Sequence, residues 1–172
     1  GSKLMYKWEY KTPEGYDDLI MNSDGTYLTC LCFKNSSDIK KLKENSKTKD
    51  LPIFKETAKW LDIYFSGQVP DFTPKYKIEN LTDFRKEVID IMNKIPYGKT
   101  TTYSVIAQEI ATSRHISKMS SQAVGGAVGW NKICLIIPCH RVIGKNNELV
   151  GYGGGLKNKL LLLELEKESV NK

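Results

Sequence analysis

The chain has 172 residues, of which 40% are apolar and 27% charged, so it can bury a sizeable core as one large or two small domains. It contains no apolar run long enough to span a membrane, which argues against a membrane protein. Its four cysteines occur without a secretory signal pattern, which predicts reduced thiols and a cytoplasmic protein.

The net charge of +6 is unevenly distributed along the chain. Residues 81–172 hold 13 basic and 8 acidic side chains, a net of +5, whereas residues 1–80 hold 13 and 12, a net of +1. A basic half agrees with a nucleic-acid partner. Charge alone leaves open the alternative of a lysine-rich surface that only keeps the protein in solution.

The N-terminal part predicts strands followed by one helix. Two apolar stretches, residues 19–21 and 27–33, flank the turn sequence Asn-Ser-Asp-Gly at 22–25, which is typical of a β-hairpin. A helix is predicted to begin after Pro52 and to end at Gly67. Its apolar residues recur at helical spacing: Phe54, Ala58, Leu61 and Phe65.

Two stretches with few apolar residues complete this part. Residues 40–49 are rich in lysine and predict a mobile loop, and residues 68–80 contain two prolines and predict a linker. The linker divides the chain into two predicted domains, residues 3–78 and residues 79–172.

Two helices are predicted next. The first is stopped by Pro96 and Gly98, and its apolar residues are Phe84, Val88, Ile91 and Ile95. Thr102 is the predicted N-cap of the second. The apolar face of this second helix consists of Tyr103, Ile106, Ala107 and Ile110.

A third helix is predicted to begin at Ser120 or Ser121 and to reach about Val128. The second and third helices, in that order, indicate a helix-turn-helix, although residues 111–119 between them exceed the usual tight turn. Small residues on the third helix permit either close approach to a DNA groove or tight packing between helices: Ala123, Gly125, Gly126 and Ala127.

The sequence Ile-Pro-Cys-His-Arg-Val at 137–142 sets a thiol beside an imidazole, after an apolar run at 133–137. The thiolate is the nucleophilic form of cysteine, so Cys139 needs a proton acceptor. Adjacent side chains of an extended segment point in opposite directions, and His140 is therefore predicted to act through a water molecule. An inert buried cysteine beside a structural histidine is the alternative for an isolated pair.

A zinc site is a further alternative, because the chain offers other thiols. Cys30, Cys32 and Cys134 could join Cys139 and His140 as ligands. The C-x-C spacing of the first two is not the usual spacing of a zinc knuckle, and we expect no metal.

The chain resembles the alkylguanine-DNA alkyltransferases, also called methylated-DNA–protein-cysteine methyltransferases. The resemblance covers about residues 81–168 and rests on short motifs: residues 123–129 followed by Asn131, residues 138–142, and residues 152–156 before a leucine-rich helix ending near Glu166. It implies an α/β (α+β) fold, with a small ribonuclease H-like domain of sheet and helix. A mostly helical, winged-helix-like domain with the DNA-binding and active sites would follow.

The resemblance also implies the chemistry of direct DNA repair. Cys139 would accept the alkyl group of O6-alkylguanine, and of O4-alkylthymine as a further substrate, irreversibly and once per molecule. His140 would be its base through a water molecule, and Glu166 would orient the imidazole. Tyr103 would donate a hydrogen bond to the departing guanine, and Asn131 would satisfy buried backbone groups. No cofactor is implied.

Three further residues are implied to contact the flipped base. The Val142 carbonyl would accept a hydrogen bond from the guanine amino group, and the Gly153 amide would lie near the six-position oxygen. Tyr152 belongs to the segment that would fold over Cys139.

The implied partner is double-stranded DNA, bound by a monomer through the minor groove with the damaged base flipped out. The residues implied to contact DNA are Gln122, Ala123, Gly125, Gly126, Arg141 and Tyr103. The chain departs from the family at Gln122, where relatives carry an arginine that fills the space left by the base. Two other classes stay open at this stage: a DNA-binding protein that senses alkylated bases without transfer, and a cysteine hydrolase.

Overall fold

The computed structural model describes residues 4–145 and 151–171, so the predicted domain limits at 3 and 172 lie outside the described residues. The N-terminal part contains a four-stranded sheet. Its strands are β1 (Met5–Tyr10), β2 (Leu19–Ser23), β3 (Leu28–Phe33) and β4 (Ser46–Thr48), in the order β3-β2-β1-β4. β1 and β3 both pair antiparallel with β2, and β4 pairs parallel with β1.

The predicted hairpin is confirmed as β2 and β3. The Asp24 carboxylate accepts hydrogen bonds from the backbone amides of Thr26 and Tyr27 at 2.9 and 2.8 Å, and Gly25 takes a φ of 108°. An aspartate followed by glycine supplies the local hydrogen bonds and the positive φ that such a turn needs. These turn residues therefore account for the chain reversal between β2 and β3.

The prediction of a mobile loop at residues 40–49 is wrong in part. A single 3₁₀ turn spans Ser37–Lys41, and β4 adds a short edge strand to the sheet. Buried Asn22 anchors the stretch, because its side chain donates to Ser46 Oγ at 3.1 Å and accepts from the Lys43 amide at 2.8 Å. Backbone pairing and the Asn22 amide therefore order this stretch. Such contacts need no apolar side chains, so the sequence shows no pattern that would predict them.

The predicted N-terminal helix is confirmed as α1 (Pro52–Phe65), and Gly67 follows its end with a φ of 88°. Its buried face is rotated relative to the prediction, since Phe65 is only half-buried. The buried residues are Ile53, Phe54, Thr57, Trp60, Leu61 and Tyr64.

The C-terminal part is mostly helical, with α2 (Asp83–Met92), α3 (Tyr103–Ser113), α4 (Ser121–Gly129) and α5 (Leu156–Val170). A two-residue strand β5 (Thr101–Thr102) pairs parallel with β6 (Val142–Ile143) and so ties the start of α3 to the segment after Cys139. α5 continues to Val170, past the predicted end of the leucine-rich helix near Glu166. α2 ends at Met92, before Ile95.

Side-chain caps set the starts of these helices. Thr102 accepts a hydrogen bond from the Val105 amide at 3.1 Å, as predicted, and Ser120 rather than Ser121 accepts one from the Ala123 amide at 3.1 Å. α3 and α4 pack against each other in the order predicted for a helix-turn-helix. Residues 114–120 connect them.

The segment before Cys139 is not extended, and that prediction is wrong. Ile133 bridges to Leu31 of β3, after which the chain turns, with a φ of 70° at Leu135 and a hydrogen bond of 3.1 Å from the Ile137 amide to the Ile133 carbonyl. Cys139–Arg141 form a second 3₁₀ turn. The apolar run is buried because it turns against the sheet.

One cluster of buried apolar residues extends through both parts of the chain, from β2 and α1 to α4 and α5. Within residues 4–145 and 151–171, no helix is both long and apolar enough to cross a membrane.

Candidate active site

Cys139 begins the second 3₁₀ turn and is 6% exposed. Burial raises the pKa of its thiol, and a hydrogen bond with Asn131 acts in the opposite direction. Asn131 also holds the turn that leads to the thiol. Its amide donates to the Ile133 and Ile137 carbonyls at 3.3 and 3.1 Å and accepts from the Ile133 amide at 3.0 Å. Asn131 thus satisfies buried backbone groups. Because burial raises the pKa of Cys139, the resting thiol keeps its proton.

His140 is fully buried and lies against Glu166, with 2.6 Å between Nε2 and Oε2. A carboxylate only accepts hydrogen bonds, so Nε2 carries the proton and Nδ1 keeps its lone pair. Nδ1 has no hydrogen-bond partner among the described residues. Desolvation lowers the pKa of His140 despite its carboxylate neighbour, and a neutral base with an open acceptor results.

Glu166 is 1% exposed and is surrounded by donors. Its carboxylate accepts hydrogen bonds from His140 Nε2 and the Tyr64 hydroxyl, both at 2.6 Å, and from the Gly98 amide at 3.0 Å. Arg141 adds contacts at 2.8 and 3.3 Å. Burial would raise the pKa of Glu166. The hydrogen bonds of His140 and Arg141, the charge of Arg141 and the charge that His140 carries once it is protonated outweigh burial and lower the pKa to about 2.

Arg141 points into the protein. Besides Glu166, its guanidinium contacts the Ile95 carbonyl at 2.8 Å and lies over the Tyr97 ring, and its side chain is 11% exposed. This position does not support the predicted contact between Arg141 and DNA, because the donors of the guanidinium are directed at buried acceptors.

A small cavity of about 20 Å³ lies beside Cys139. Its lining residues come from both parts of the chain: Asp38, Lys41, Val128, Gly129, Asn131, Cys139, Gly151, Tyr152 and Gly153. This volume accommodates about one water molecule, which suits a relay to the thiol, and is far below the roughly 300 Å³ of a typical ligand pocket. A flipped base can therefore enter only if the lining segments move apart.

Two lining residues come from the N-terminal 3₁₀ turn and were not predicted. Lys41 Nζ donates to the carbonyls of Gly129 and Asn131 at 2.6 and 2.7 Å and pairs with Asp38 at 2.8 Å. It thus places a cation at the C-terminus of α4, where the helix dipole is negative. Lys41 lies 88 positions from Gly129, in a stretch without apolar periodicity, so neither lining residue has a local signal in the sequence.

The residues implied to bind the base lie around the same turn. The Val142 carbonyl accepts a hydrogen bond of 2.8 Å from buried Lys159, and its second lone pair can still accept from a base. A Cβ on Gly153 would overlap the Asp38 carboxylate, so any side chain at this position would displace Asp38 from its ion pair with Lys41. Tyr152 is partly buried, and its hydroxyl has no hydrogen-bond partner among the described residues.

The candidate DNA face is the exposed side of α4. Gln122, Ala123 and Gly126 are exposed, and Gly125 packs against the ring of Tyr103, 3.8 Å from the position of an added Cβ. Desolvation raises the pKa of Tyr103, and a negative charge on Cys139 would raise it further, so the Tyr103 hydroxyl remains a donor close to the nucleophile. Ala127 faces the core instead.

The cysteines do not form a metal site. All four are free and buried. Among the residues that the structure describes, no three His, Cys, Asp or Glu side chains are grouped so that they could hold a metal ion.

This architecture defines a class of protein in which a buried cysteine and its base lie next to a helix-turn-helix. Residues 83–168 match the family model described as 6-O-methylguanine DNA methyltransferase, DNA binding domain. The chain belongs to the methylated-DNA–protein-cysteine methyltransferase family, as the motifs predicted.

Relatives of the same name match over most of the chain. The protein from Mycobacterium leprae is 38% identical over 88% of this chain and 87% of its own length, and that from Haemophilus influenzae is 36% identical over 95% and 87%. The crystal structure of Mycobacterium tuberculosis OGT in complex with DNA has a TM-score of 0.80 at 34% identity, covering 95% of this chain and 94% of the other. The predicted mixed fold is confirmed by this match.

Proposed function

We propose that this protein repairs O6-alkylguanine in duplex DNA by transferring the alkyl group to its own Cys139. The observation that carries the proposal is the buried His140–Glu166 pair, which leaves Nδ1 open as a base next to the cysteine. Relatives that match over most of the chain are named as methylated-DNA–protein-cysteine methyltransferases, so neither a non-transferring sensor nor a hydrolase is favoured.

In the proposed reaction the Cys139 proton passes through one water molecule to His140 Nδ1. The Sγ–carbon bond forms as the bond between the alkyl carbon and O6 breaks, and the bonding electrons remain on the guanine. Tyr103 donates a hydrogen bond to this departing base, and the Val142 carbonyl and Gly153 amide hold its edge. The thioether has no route back, so each molecule reacts once. No step of the proposed reaction uses a cofactor. O4-alkylthymine is a second proposed substrate.

DNA binding precedes this step. We infer that the protein binds DNA as a monomer, with α3 and α4 in the minor groove. Gln122 then enters the space left by the flipped base, and unstacking that base costs a few kcal/mol. Ser37–Lys41 and the glycine-rich segment around Gly153 then separate to admit the base, because the cavity between them is only about 20 Å³. We infer a cytoplasmic location, because the proposed reaction needs access to DNA and a reduced Cys139.

Intact-mass analysis with excess methylated duplex tests the proposal. Each protein molecule should gain one methyl group, located at Cys139 by peptide mapping, and Cys139→Ala should gain none. Cys134→Ala is the matched control, since it removes another buried thiol from the same segment and should still take one methyl group. Repeated turnover, or methyl found mainly on Cys30, Cys32 or Cys134, would overturn the mechanism.

A further inference from the structure

We propose that Tyr64 of α1, in the N-terminal part of the chain, is a positioning residue for alkyl transfer: its hydroxyl holds the Glu166 carboxylate so that His140 stays a neutral base. The inference rests on the proposed function and assigns a role in the reaction to the N-terminal part. None of the sequence motifs includes this residue.

The geometry brings three groups to one point. The Tyr64 hydroxyl donates to Glu166 Oε2 at 2.6 Å, the same oxygen that receives His140 Nε2 at 2.6 Å, and the two donors are 3.5 Å apart. Tyr64 is 1% exposed. A phenolic hydroxyl and an imidazole N–H therefore share one carboxylate oxygen in a site without access to solvent.

The aromatic neighbours of Tyr64 fix its ring. Trp60 stacks on it with 5.4 Å between centroids, and Phe65 and Tyr97 contact it edge-on at 5.4 and 6.0 Å. Rigid packing lets the hydroxyl keep its position while the alkyl group moves, as preorganised support of a catalytic group requires.

The other donors to Glu166 do not duplicate this contact. The Gly98 amide and Arg141 Nε bind Oε1, and Arg141 reaches Oε2 only at 3.3 Å. Without the Tyr64 hydroxyl, Oε2 would interact mainly with His140.

This sharing sets the sign of the effect on the base. A hydrogen bond from Tyr64 stabilises negative charge on Oε2 and so weakens the attraction of Glu166 for a proton on the imidazole. Removing it should strengthen that attraction and raise the pKa of His140. The other charged and titratable groups near the pair are unchanged in such a variant: Arg141, Lys159, Tyr97 and Cys139.

Tyr64→Phe in the full-length protein tests the inference, because it removes the hydroxyl and keeps the ring. The single-turnover rate of methyl transfer from duplex DNA would be measured from pH 5 to 9. The acidic limb of the profile should move upward by about half to one pH unit, so that the rate on the limb falls by up to about ten-fold. At pH 8 the rate should stay within about two-fold of wild type.

Tyr10→Phe is the matched control. It removes another tyrosine hydroxyl that donates to a carboxylate, that of Asp62 on α1, at an exposed place away from Cys139. Its profile should superimpose on that of the wild type. If the acidic limb of Tyr64→Phe stays in place and the wild type transfers methyl to Cys139, the role of Tyr64 is overturned but the proposed function is not. Failure of wild type to transfer methyl overturns the proposed function.

A measurement on the wild-type protein covers the case in which Tyr64→Phe does not fold. Nitrogen NMR of His140 at pH 7 should show a neutral ring with its proton on Nε2 and a bare Nδ1. A doubly protonated ring, or a proton on Nδ1, would contradict the proposed arrangement.

Discussion

His140 and Cys139 are both neutral before the reaction, and this determines how the site works. Burial raises the pKa of the thiol and lowers that of the imidazole, so a thiolate–imidazolium ion pair is disfavoured at rest. The proton must move during alkyl transfer. A thiol that ionises only then is also less exposed to oxidation, because thiolate character governs reactivity.

Replacing His140 by glutamine separates the base from the hydrogen bond. The glutamine amide can still donate to Glu166 but cannot take a proton, so the transfer rate should fall by about two to four powers of ten. Duplex affinity should remain near wild type, since α4 is untouched. Single-turnover kinetics and binding to undamaged DNA measure the two quantities.

The control for this variant is His115→Gln, which changes the only other histidine, an exposed one. Its transfer rate should match wild type. A parallel loss of rate and DNA affinity in His140→Gln would show that His140 supports the fold instead of acting as a base.

The sequence identified some of these residues and could not identify others. The pairing of His140 with Glu166 was implied by the family resemblance and is present in the structure. Tyr64 and Lys41 could not be found in this way, because they lie 102 and 90 positions from the groups they contact and neither belongs to a motif. Contacts between distant segments depend on tertiary packing, which a local pattern does not record.

Among the elements, those with their own local signals were predicted best. Thr102 and Ser120 are residue types that commonly cap helices, and Asp24-Gly25 is a common turn sequence, so each could be recognised from neighbouring residues alone. β4 and the turn before Cys139 were not predicted. The first is held by backbone pairing with β1, and the second by a bridge to β3, so both depend on partners far along the chain.

The first turn of α4 supplies a prediction about DNA. Gln122 is exposed there, next to the small surface formed by Ala123 and Gly126. A neutral amide lacks the charge and planar stacking area of guanidinium. Gln122→Arg should therefore tighten duplex binding and speed repair in duplex DNA, with an effect of about 1 to 3 kcal/mol at most.

Free O6-alkylguanine is the control substrate for this variant, because it needs no flipping and its reaction should barely change. Gln122→Ala should lose little duplex repair if the glutamine only occupies the gap. A large loss in Gln122→Ala, or no gain in Gln122→Arg, would show that Gln122 is itself an effective insertion residue.

At the scale of the whole molecule, the two parts of the chain share one apolar core, and both contribute residues to the candidate active site. Asp38, Lys41 and Tyr64 from the N-terminal part all contact groups within or next to the Cys139 turn. The division at residues 78 and 79 stays a prediction about the chain's organisation. Under the role proposed for Tyr64, this division would not separate a catalytic unit from a dispensable one, because the first part would position the base of the second.

The buried His140–Glu166 pair also predicts how the molecule responds to acid. The pKa of His140 is lowered from 6.5 in the folded protein. Below about pH 6.5 this histidine therefore binds a proton more readily in the unfolded chain than in the folded one. The pKa of Glu166 is lowered from 4.5 to about 2, which has the same effect between those values. Both groups therefore leave stability intact at neutral pH and reduce it as pH falls.

Denaturant unfolding followed by the fluorescence of the three tryptophans measures this response. The unfolding free energy should begin to fall below about pH 6.5 and fall further below about pH 4.5. His140→Gln should abolish the upper part of the decline and weaken the lower part, because His140 is a main cause of the lowered pKa of Glu166. His115→Gln should retain both. Equal stability at pH 7 and pH 5 in the wild type would mean that His140 has the same pKa in the folded protein as in the unfolded chain, which would contradict the lowered pKa of the buried imidazole.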